Sequence, residues 1–264
     1  MIIIGEKING TRKAVAQAIR ERDETFIRDL ARNQTDAGSA FLDVNAGTAP
    51  EREPEDMAWL VGTIQEECGI PLCLDSANPS ALRAGLEIVK NPPMINSVSG
   101  EKPRIEKVLP LALEYGTNLI LLALDETGIP NTSDGRMKIV DRLVRLAMDG
   151  GLKEEKLYID PLVTAISTGT DSALITLDTI RRISSTYPKC HITSGLSNIS
   201  FGMPLRHMIN RTFMAMAIQA GLDSAIADPG DRQLYEVIMA AEMLMGRDKY
   251  CQGFSRAYRA GRIG

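Results

Sequence analysis

Short runs of β-branched and leucine residues alternate along the chain with longer segments in which apolar residues recur every three or four positions. The short runs predict eight strands, at about residues 1–9, 40–47, 71–76, 93–99, 118–125, 156–162, 191–198 and 223–229. The longer segments predict helices, at roughly 13–37 with an interruption near Asp23, 54–68, 79–90, 101–115, 134–150, 170–186, 205–220 and 231–246. This alternation favours parallel strands joined by crossover helices.

The residue pattern within these segments indicates where each one lies in the fold. The run from Leu119 to Leu122 is apolar without alternation, as expected for a parallel strand covered on both faces. In the predicted helix 101–115, Ile105, Val108 and Ala112 share one face, and most charged residues lie on the other. Eight such strands with helices outside predict the α/β class and a (β/α)8 TIM barrel, in which functional residues follow the strands.

The length and composition favour a single domain. The chain has 264 residues, of which 44% are hydrophobic, so it is long enough for one barrel with a large core. No internal repeat, linker or low-complexity tract divides it. Residues 1–264 are therefore predicted to form one domain, with a basic, partly aromatic C-terminal extension at about 247–264. We expect this extension to be a frayed tail; packing on a neighbouring subunit is the alternative.

Charge and cysteine usage exclude several classes of protein. The formal charge is −4, the isoelectric point is about 5.4 and basic residues form no stripe, so nucleic acid is not an expected partner. No apolar run approaches the roughly 18 residues of a membrane span. The four cysteines lack the paired spacing of zinc or iron–sulfur sites. They are expected to be reduced thiols of a cytoplasmic protein, at Cys68, Cys73, Cys190 and Cys251.

Five predicted strands end in an Asp or Asn, in the segments FLDVNAG (41–47), LCLDS (72–76), MINS (94–97), LYIDP (157–161) and GLSN (195–198). The carboxyl ends of barrel strands meet at one rim, so Asp75, Asn96, Asp160 and Asn198 are expected to lie there. Carboxylates only accept hydrogen bonds, whereas carboxamides both donate and accept. This combination suits a flat heterocycle with N–H groups and ring nitrogens, such as the aminopyrimidinone of a pterin, and it predicts an enzyme.

Other interpretations of single residues remain open. An Asp at a strand end is commonly a helix cap, and Asp125 is predicted to lie in a solvated loop without a role. A Schiff-base aldolase requires a lysine inside the barrel; Lys7 is the clear candidate, and its pairing with Glu6 explains it equally well. Phosphate binding is not favoured, because the late glycines are spread out and form no phosphate-binding motif. The two histidines, His191 at the barrel bottom and His207 in a helix, are too few for a multi-histidine metal centre.

The strand-end motifs also carry a resemblance to a known family. IIIGEKIN, LDVNAG, LCLDS, MINS, LYIDPL, and GLSN followed by RHMINRTF, in this order from Met1 to about Tyr250, closely resemble the corrinoid-dependent methyltetrahydrofolate methyltransferases. The chain is more distantly similar to the folate-binding domain of cobalamin-dependent methionine synthase and to dihydropteroate synthase, which share the pterin-binding barrel. The resemblance implies methyl transfer, in either direction, between N5 of tetrahydrofolate and the cobalt of a corrinoid carried by a separate protein.

The resemblance also implies roles for individual residues. Asp75, Asn96 and Asp160 would hold the pterin ring, Asn198 would be the catalytic residue near N5, and Arg206 would lie along the pterin or its aminobenzoyl-glutamate arm. A surrounding set of polar residues would comprise Glu6, Asn9, Asp43, Asn45 and Ser197. The family implies a homodimer that needs no metal of its own. Its partner would be a corrinoid iron–sulfur protein or a small corrinoid protein of a demethylase system.

The loop after GLSN differs from relatives that act on the corrinoid iron–sulfur protein. It reads ISFGMPL and is more apolar than the Gln- and Asn-rich segment of those enzymes. Phe201 and Met203 are therefore expected either to contact the corrinoid or its protein, or to pack on their own barrel. A dihydropteroate synthase-like enzyme is an alternative, although its C-terminal Arg-x-His is missing. A non-catalytic folate-binding protein is the alternative outside the enzymes.

Overall fold

The computed structural model describes all 264 residues and contains one eight-stranded sheet. The strands are β1 (Ile2–Asn9), β2 (Phe41–Asn45), β3 (Leu72–Asp75), β4 (Met94–Ser99), β5 (Asn118–Leu122), β6 (Leu157–Asp160), β7 (His191–Ile192) and β8 (Ser224–Ala227). All pairings are parallel, in the order β7-β6-β5-β4-β3-β2-β1-β8. A parallel bridge between Gly195 and Ile226 joins the two ends of the sheet. The predicted (β/α)8 barrel is confirmed.

Helices follow the strands and cover the outside of the barrel. They are α1 (Lys13–Glu21), α2 (Glu24–Asp36), α3 (Glu53–Glu67), α4 (Pro79–Leu86), α5 (Lys102–Lys107), α6 (Leu109–Tyr115), α7 (Ser133–Asp149), α8 (Ser172–Thr186), α9 (Arg206–Ala220), α10 (Arg232–Leu244) and α11 (Gln252–Arg259). Their apolar faces and the outward faces of the strands form one core cluster of 55 buried residues. No helix combines the length and the apolar character that crossing a membrane requires.

The interior of the barrel has an apolar lower layer and a polar upper layer. The lower layer is a separate cluster of buried side chains, Ile4, Cys73, Met94, Ile120 and Tyr158, with Phe41 packed against it. Successive strand residues point to opposite faces, so the residue two positions further on faces the interior again. That residue is polar on five strands: Glu6 after Ile4, Asp43 after Phe41, Asp75 after Cys73, Asn96 after Met94 and Asp160 after Tyr158. The sheet itself therefore places these five side chains in one layer near the carboxyl ends of the strands.

One predicted boundary on the rim is wrong. Residues 195–198 do not end a strand, because β7 stops at Ile192 and a 3-10 helix covers Leu196–Ser200. Short polar residues and glycine in this segment favour local turns over a strand ladder. The predicted strand 93–99 is confirmed, because β4 runs from Met94 to Ser99 with a register irregularity between Ile95 and Val98; Asn96 lies within this strand and not at its end.

The predicted helix 101–115 is two short helices that meet at Val108. Pro110 stands in the first turn of α6, where its missing N–H does no harm, but it cannot continue a helix that began at Lys102. The apolar face was predicted correctly, because Val108, Leu109 and Ala112 are buried. The error lies in the continuity of the helix and leaves its packing unchanged.

The C-terminal segment is ordered and packs on its own chain, so the expectation of a frayed tail is wrong. Its helix α11 contacts α10, and Ala257 and Ile263 are buried. The last residue, Gly264, receives a hydrogen bond from Arg232 and donates its backbone N–H to Glu236 at 3.1 Å. Ala257 and Ile263 are the only buried side chains of this basic segment, so its sequence shows little of the apolar pattern that predicts packing.

Candidate functional site

Two hydrogen-bonded pairs connect three neighbouring strands of the polar layer. Asn45 at the end of β2 donates its Nδ2 to Asp75 Oδ2 on β3, at 2.9 Å. Asn96 on β4 donates its Nδ2 to Asp43 Oδ1 on β2, at 3.2 Å. In each carboxamide the nitrogen is engaged and the oxygen accepts no hydrogen bond; Asn45 Oδ1 is buried as well. Buried polar atoms without a partner are uncommon, so these two carboxamide oxygens are available to accept hydrogen bonds from a ligand.

Asp75 is a member of the site and does not cap a helix. The helix that follows it, α4, is capped by Asn78, whose side chain accepts from the Ser80 N–H at 3.0 Å. Burial raises the pKa of Asp75, while the Asn45 hydrogen bond and the nearby Arg104 guanidinium oppose that rise. Arg104 is itself fixed by donating to the Ser76 carbonyl at 3.2 Å. Asp75 thus keeps one carboxyl oxygen unpaired at the rim of the barrel.

Asp160 organises the loops after β6 and β7. Its Oδ1 accepts from the Leu162 backbone N–H at 2.7 Å, where Leu162 adopts a left-handed φ of 64°. The Gly195 backbone N–H lies near this carboxyl group, which places Asp160 beside the loop that carries Asn198. Burial raises the pKa of Asp160 to about 6, against the effect of these two N–H groups and of Arg136. A carboxylate has about four acceptor positions, so the backbone leaves room for a ligand N–H.

Asn198 stands in the 3-10 helix after β7 with an exposed side chain that makes no hydrogen bond within the chain. Arg206, the first residue of α9, holds this short helix in place: its Nη2 donates to the Ser197 carbonyl at 2.9 Å and its Nε to Ser200 Oγ at 3.1 Å. Arg206 and Ser197 are both exposed at the mouth of the barrel. Asn198 is therefore free to interact with a bound molecule, and Arg206 fixes the backbone that presents it.

The first strand contributes a further acidic group, Glu6, near Asp43 of the neighbouring strand β2. Burial raises the pKa of Glu6, and Arg12 lowers it less strongly. Lys7 forms an ion pair with Asp228 after β8, so the expected pairing of Lys7 with Glu6 is not formed. A cavity of about 420 Å³ lies beside Glu6 and reaches the Ser197–Arg206 region. Asn9 is not in this cavity, because its Oδ1 accepts from the backbone and hydroxyl of Thr11 and holds the turn after β1.

The two histidines lie where the sequence placed them. His191 begins β7 at the lower end of the barrel, stacks on Tyr158 with 4.6 Å between ring centroids, and has its Nδ1 2.7 Å from Asp223 Oδ2. His207 is exposed in the first turn of α9. Asp125 accepts from the backbone and hydroxyl of Thr127 within its own loop, which agrees with a local structural role.

One residue that supports the site was missed in the sequence. Arg136 of α7 is only 1% exposed, and its guanidinium donates to the carbonyls of Pro130 at 3.0 Å, Pro161 at 2.9 Å and Leu162 at 2.6 Å. It therefore fixes the loop that directly follows Asp160. The sequence feature that indicates its burial is its position on the apolar face of a predicted helix, one turn before Val140.

Comparison with known proteins gives three consistent findings. Residues 5–228 match the family described as pterin binding enzyme. Over 266 residues the chain is 43% identical to the methylcorrinoid:tetrahydrofolate methyltransferase of Eubacterium limosum, with 100% of this chain and 98% of that protein covered. It is 31% identical over 239 residues to the methionine synthases of Mycobacterium tuberculosis and Mycobacterium leprae, which covers 86% of this chain and 20% of theirs. The chain thus spans about a fifth of those two proteins.

Solved structures show the same fold at low sequence identity. A dihydropteroate synthase from Coxiella burnetii in complex with pteroic acid superposes with a TM-score of 0.67 at 17% identity, covering 91% of this chain and 90% of that one. The Yersinia pestis enzyme with a pterine-sulfa conjugate gives 0.67 at 14% identity, covering 93% and 94%. At these identities the comparison concerns the barrel fold alone.

Proposed function

The chain belongs to the family of pterin binding enzymes, and on that premise we propose that it is a methyltransferase that moves a methyl group between N5 of tetrahydrofolate and the cobalt of a corrinoid. The observation that carries this proposal is the 43% identity, over the whole chain, to a methylcorrinoid:tetrahydrofolate methyltransferase. A dihydropteroate synthase-like activity is less well supported, because the likeness to those enzymes lies in the fold at 14–17% identity.

The polar layer supports binding of a pterin. The N–H groups of the aminopyrimidinone require acceptors, and the layer offers the free oxygens of Asp75, Asn96 and Asp160. The aromatic ring also requires a confined, partly apolar site, which the lower layer of the barrel interior provides from below. Asp75, Asn96 and Asp160 are therefore the proposed pterin-binding residues, with Asn45 beside them.

Asn198 is proposed to act on N5. A tertiary amine is a poor leaving group, so methyl transfer from N5 requires the nitrogen to be protonated or strongly hydrogen-bonded along the reaction. An asparagine is no acid at neutral pH, but its unengaged carboxamide can stabilise the charge that develops and orient a donor to N5. Because the Asn198 side chain is exposed at the mouth of the barrel, a second reactant can approach it from outside.

The remaining parts of the proposal concern the partner and the setting. The corrinoid is a substrate carried by a separate protein, either a small corrinoid protein of a demethylase system or a corrinoid iron–sulfur protein. Phe201 is 66% exposed at the mouth and Met203 is partly buried beside it, which favours Phe201 as a contact for that partner.

We further propose a single-domain chain, a homodimer and a cytoplasmic location; the four free cysteines accord with a reducing compartment.

The direct test is a methyl-transfer assay with the purified protein. Methyltetrahydrofolate and photoreduced Co(I) cobalamin are mixed with it under anaerobic conditions, and the cobalt absorption spectrum is followed. We expect conversion to methylcobalamin in proportion to protein concentration. Binding of folate without any change at cobalt would point to a binding protein or to an obligatory corrinoid protein, and the assay is then repeated with a corrinoid protein as acceptor. No binding of folate at all would contradict the pterin site.

Folate affinity is expected to fall as pH drops through about 6, where Asp160 takes up a proton. The carboxylate form accepts the pterin N–H, so each pH unit below this value weakens binding up to about tenfold. Asp160→Asn and Asp75→Asn should each weaken binding at pH 7.5 by about 1–3 kcal/mol, because an acceptor is replaced by a mismatched donor. Isothermal titration calorimetry across this pH range measures both effects.

Comparison of wild type with Asp160→Asn distinguishes protonation of Asp160 from protonation of the folate as the cause of the pH dependence of binding. Protonation of the folate affects wild type and variant alike, whereas the step due to Asp160 should vanish in Asp160→Asn. Asp125→Asn is the matched control, since Asp125 belongs to a loop whose carboxylate is satisfied by Thr127. An unchanged dissociation constant in both Asp75→Asn and Asp160→Asn would remove these two residues from the site.

A further inference from the structure

Asp43 is the most enclosed acidic group of the polar layer and has no role in the mechanism above. Its side chain is 3% exposed, directly above the apolar layer, and Cys73 is its register partner on β3. No lysine or arginine forms an ion pair with it. The groups that act on it are Asp75 and Cys73 of β3, Asn96 of β4 and Glu6 of β1. Two of these four, Asp75 and Glu6, are carboxyl groups that raise the pKa of Asp43, and the other two are neutral groups that lower it.

A carboxylate in this position is costly when it is charged. Removal from water disfavours the ionised form, and a second carboxylate nearby adds repulsion. Burial and Asp75 both raise the pKa of Asp43, and the hydrogen bond from Asn96 offsets only part of that rise. Burial also raises the pKa of the neighbouring Cys73 thiol well above its usual range, so Cys73 stays neutral and adds no repulsion to Asp43. The least costly arrangement keeps a proton on Asp43 and the negative charge on Asp75.

The protonated group still performs a geometric task. Its carbonyl oxygen accepts from Asn96 Nδ2 at 3.2 Å, and this fixes which end of the carboxamide faces Asp43. The nitrogen and oxygen of a carboxamide lie on opposite sides of its carbon, so the Asn96 oxygen is turned away from Asp43. Asp75 holds the Asn45 carboxamide in the same way: the Asn45 nitrogen donates to Asp75, and the Asn45 oxygen has no hydrogen-bond partner. Both amides therefore present acceptors, as an N–H-rich edge of a ligand requires.

We propose that Asp43 is a positioning residue that carries a proton in the free enzyme and holds the Asn96 carboxamide with its oxygen available to the pterin. The part of this proposal that concerns the pterin rests on the proposed function; the proton on Asp43 does not. Asp43 acts through Asn96 and does not itself touch the substrate.

Asp43→Asn and Asp43→Ala test the two halves of the proposal. Asn retains an oxygen that can accept from Asn96, so we expect methyltetrahydrofolate affinity within about threefold of wild type at pH 7.5, whereas Ala should weaken it about tenfold or more. Infrared difference spectra at pH 7 should show the C=O band of a protonated carboxyl group in wild type and lack that band in Asp43→Asn. Asp56→Asn is the control, because Asp56 is equally buried but ion-paired with Arg22 at 2.9 Å, and it should leave the band in place.

Thermal unfolding provides an independent readout. A carboxyl group whose pKa is raised on folding binds more protons in the folded state, so stability falls as pH rises above the ordinary carboxyl range. Between about pH 5.5 and about pH 8.5, the melting temperature of wild type should therefore fall by more than that of Asp43→Asn. Asp75, Asp160 and Glu6 are present in both proteins, so the difference reports the ionisation of Asp43 together with its repulsion by Asp75 and Glu6.

Each outcome decides one part of the proposal. Persistence of the carboxyl band and of the wild-type pH slope in Asp43→Asn would show that Asp43 is ionised and overturn the proposal. Wild-type folate affinity in Asp43→Ala would show that Asn96 is held by other means. Absence of folate binding in wild type itself would defeat the proposed function, while the infrared result would still decide where the proton lies.

Discussion

Replacement of Asn198 by alanine is expected to slow methyl transfer by roughly 10²–10³-fold, the effect of removing one preorganised polar group from a reaction centre. Folate affinity should change by less than about threefold, because Asp75, Asn96 and Asp160 still hold the pterin. The 3-10 helix should survive, since Arg206 fixes its backbone through the Ser197 carbonyl and the Ser200 hydroxyl rather than through Asn198. Single-turnover stopped-flow mixing with Co(I) cobalamin measures the rate of the chemical step separately from binding.

A matched control distinguishes this effect from general disturbance of the rim. Asn131 is an exposed asparagine in the loop after β5 on the same side of the barrel, so Asn131→Ala should leave both rate and affinity unchanged. Near-normal turnover in Asn198→Ala would end the assignment of Asn198 as the catalytic residue. A large loss of folate affinity with an unchanged rate constant would instead make it a binding residue.

Replacement of Arg136 by alanine is expected to lower the free energy of unfolding by about 3–5 kcal/mol. The side chain satisfies the carbonyls of Pro130 and Pro161 inside the protein, and without it the Leu162 carbonyl keeps only a long hydrogen bond of 3.4 Å from Thr176 Oγ1. Loss of its positive charge should also raise the pKa of Asp160 further and shift the pH dependence of folate binding upward. Urea unfolding followed by the fluorescence of Trp59, the single tryptophan, measures the stability change.

The exposed Arg145 on the same helix provides the comparison. Arg145→Ala should change stability by no more than about 0.5 kcal/mol, because its side chain lies in solvent. An Arg136→Ala protein as stable as wild type would mean that water replaces the guanidinium at these carbonyls. Normal stability with weakened folate binding would instead indicate that Arg136 acts mainly on the loop after Asp160.

Much of the fold could be read from the sequence because barrel strands obey local rules. Apolar runs such as Leu119–Leu122 are the direct consequence of burial on both faces, and the alternation from Tyr158 to Asp160 follows from the pleat of a single strand. For the same reason Asp75 and Asp160 were placed at the carboxyl ends of their strands. The resemblance to known methyltransferases rested on these motifs, and the full-length identity of 43% confirms it.

The sequence by itself determined the barrel, the family and the strand-end polar residues, because each depends on spacing along one segment of chain. Only the tertiary structure decided the pairing of Asn45 with Asp75, the contact of Asn96 with Asp43, and the burial of Arg136 against the loop after Asp160. It also replaced the predicted strand at Asn198 by a partly buried 3-10 helix, which Arg206 holds and on which Asn198 is exposed. These features join residues that are distant along the chain, and which partner each polar group finds, and how far its pKa shifts, depends on the surroundings that folding creates.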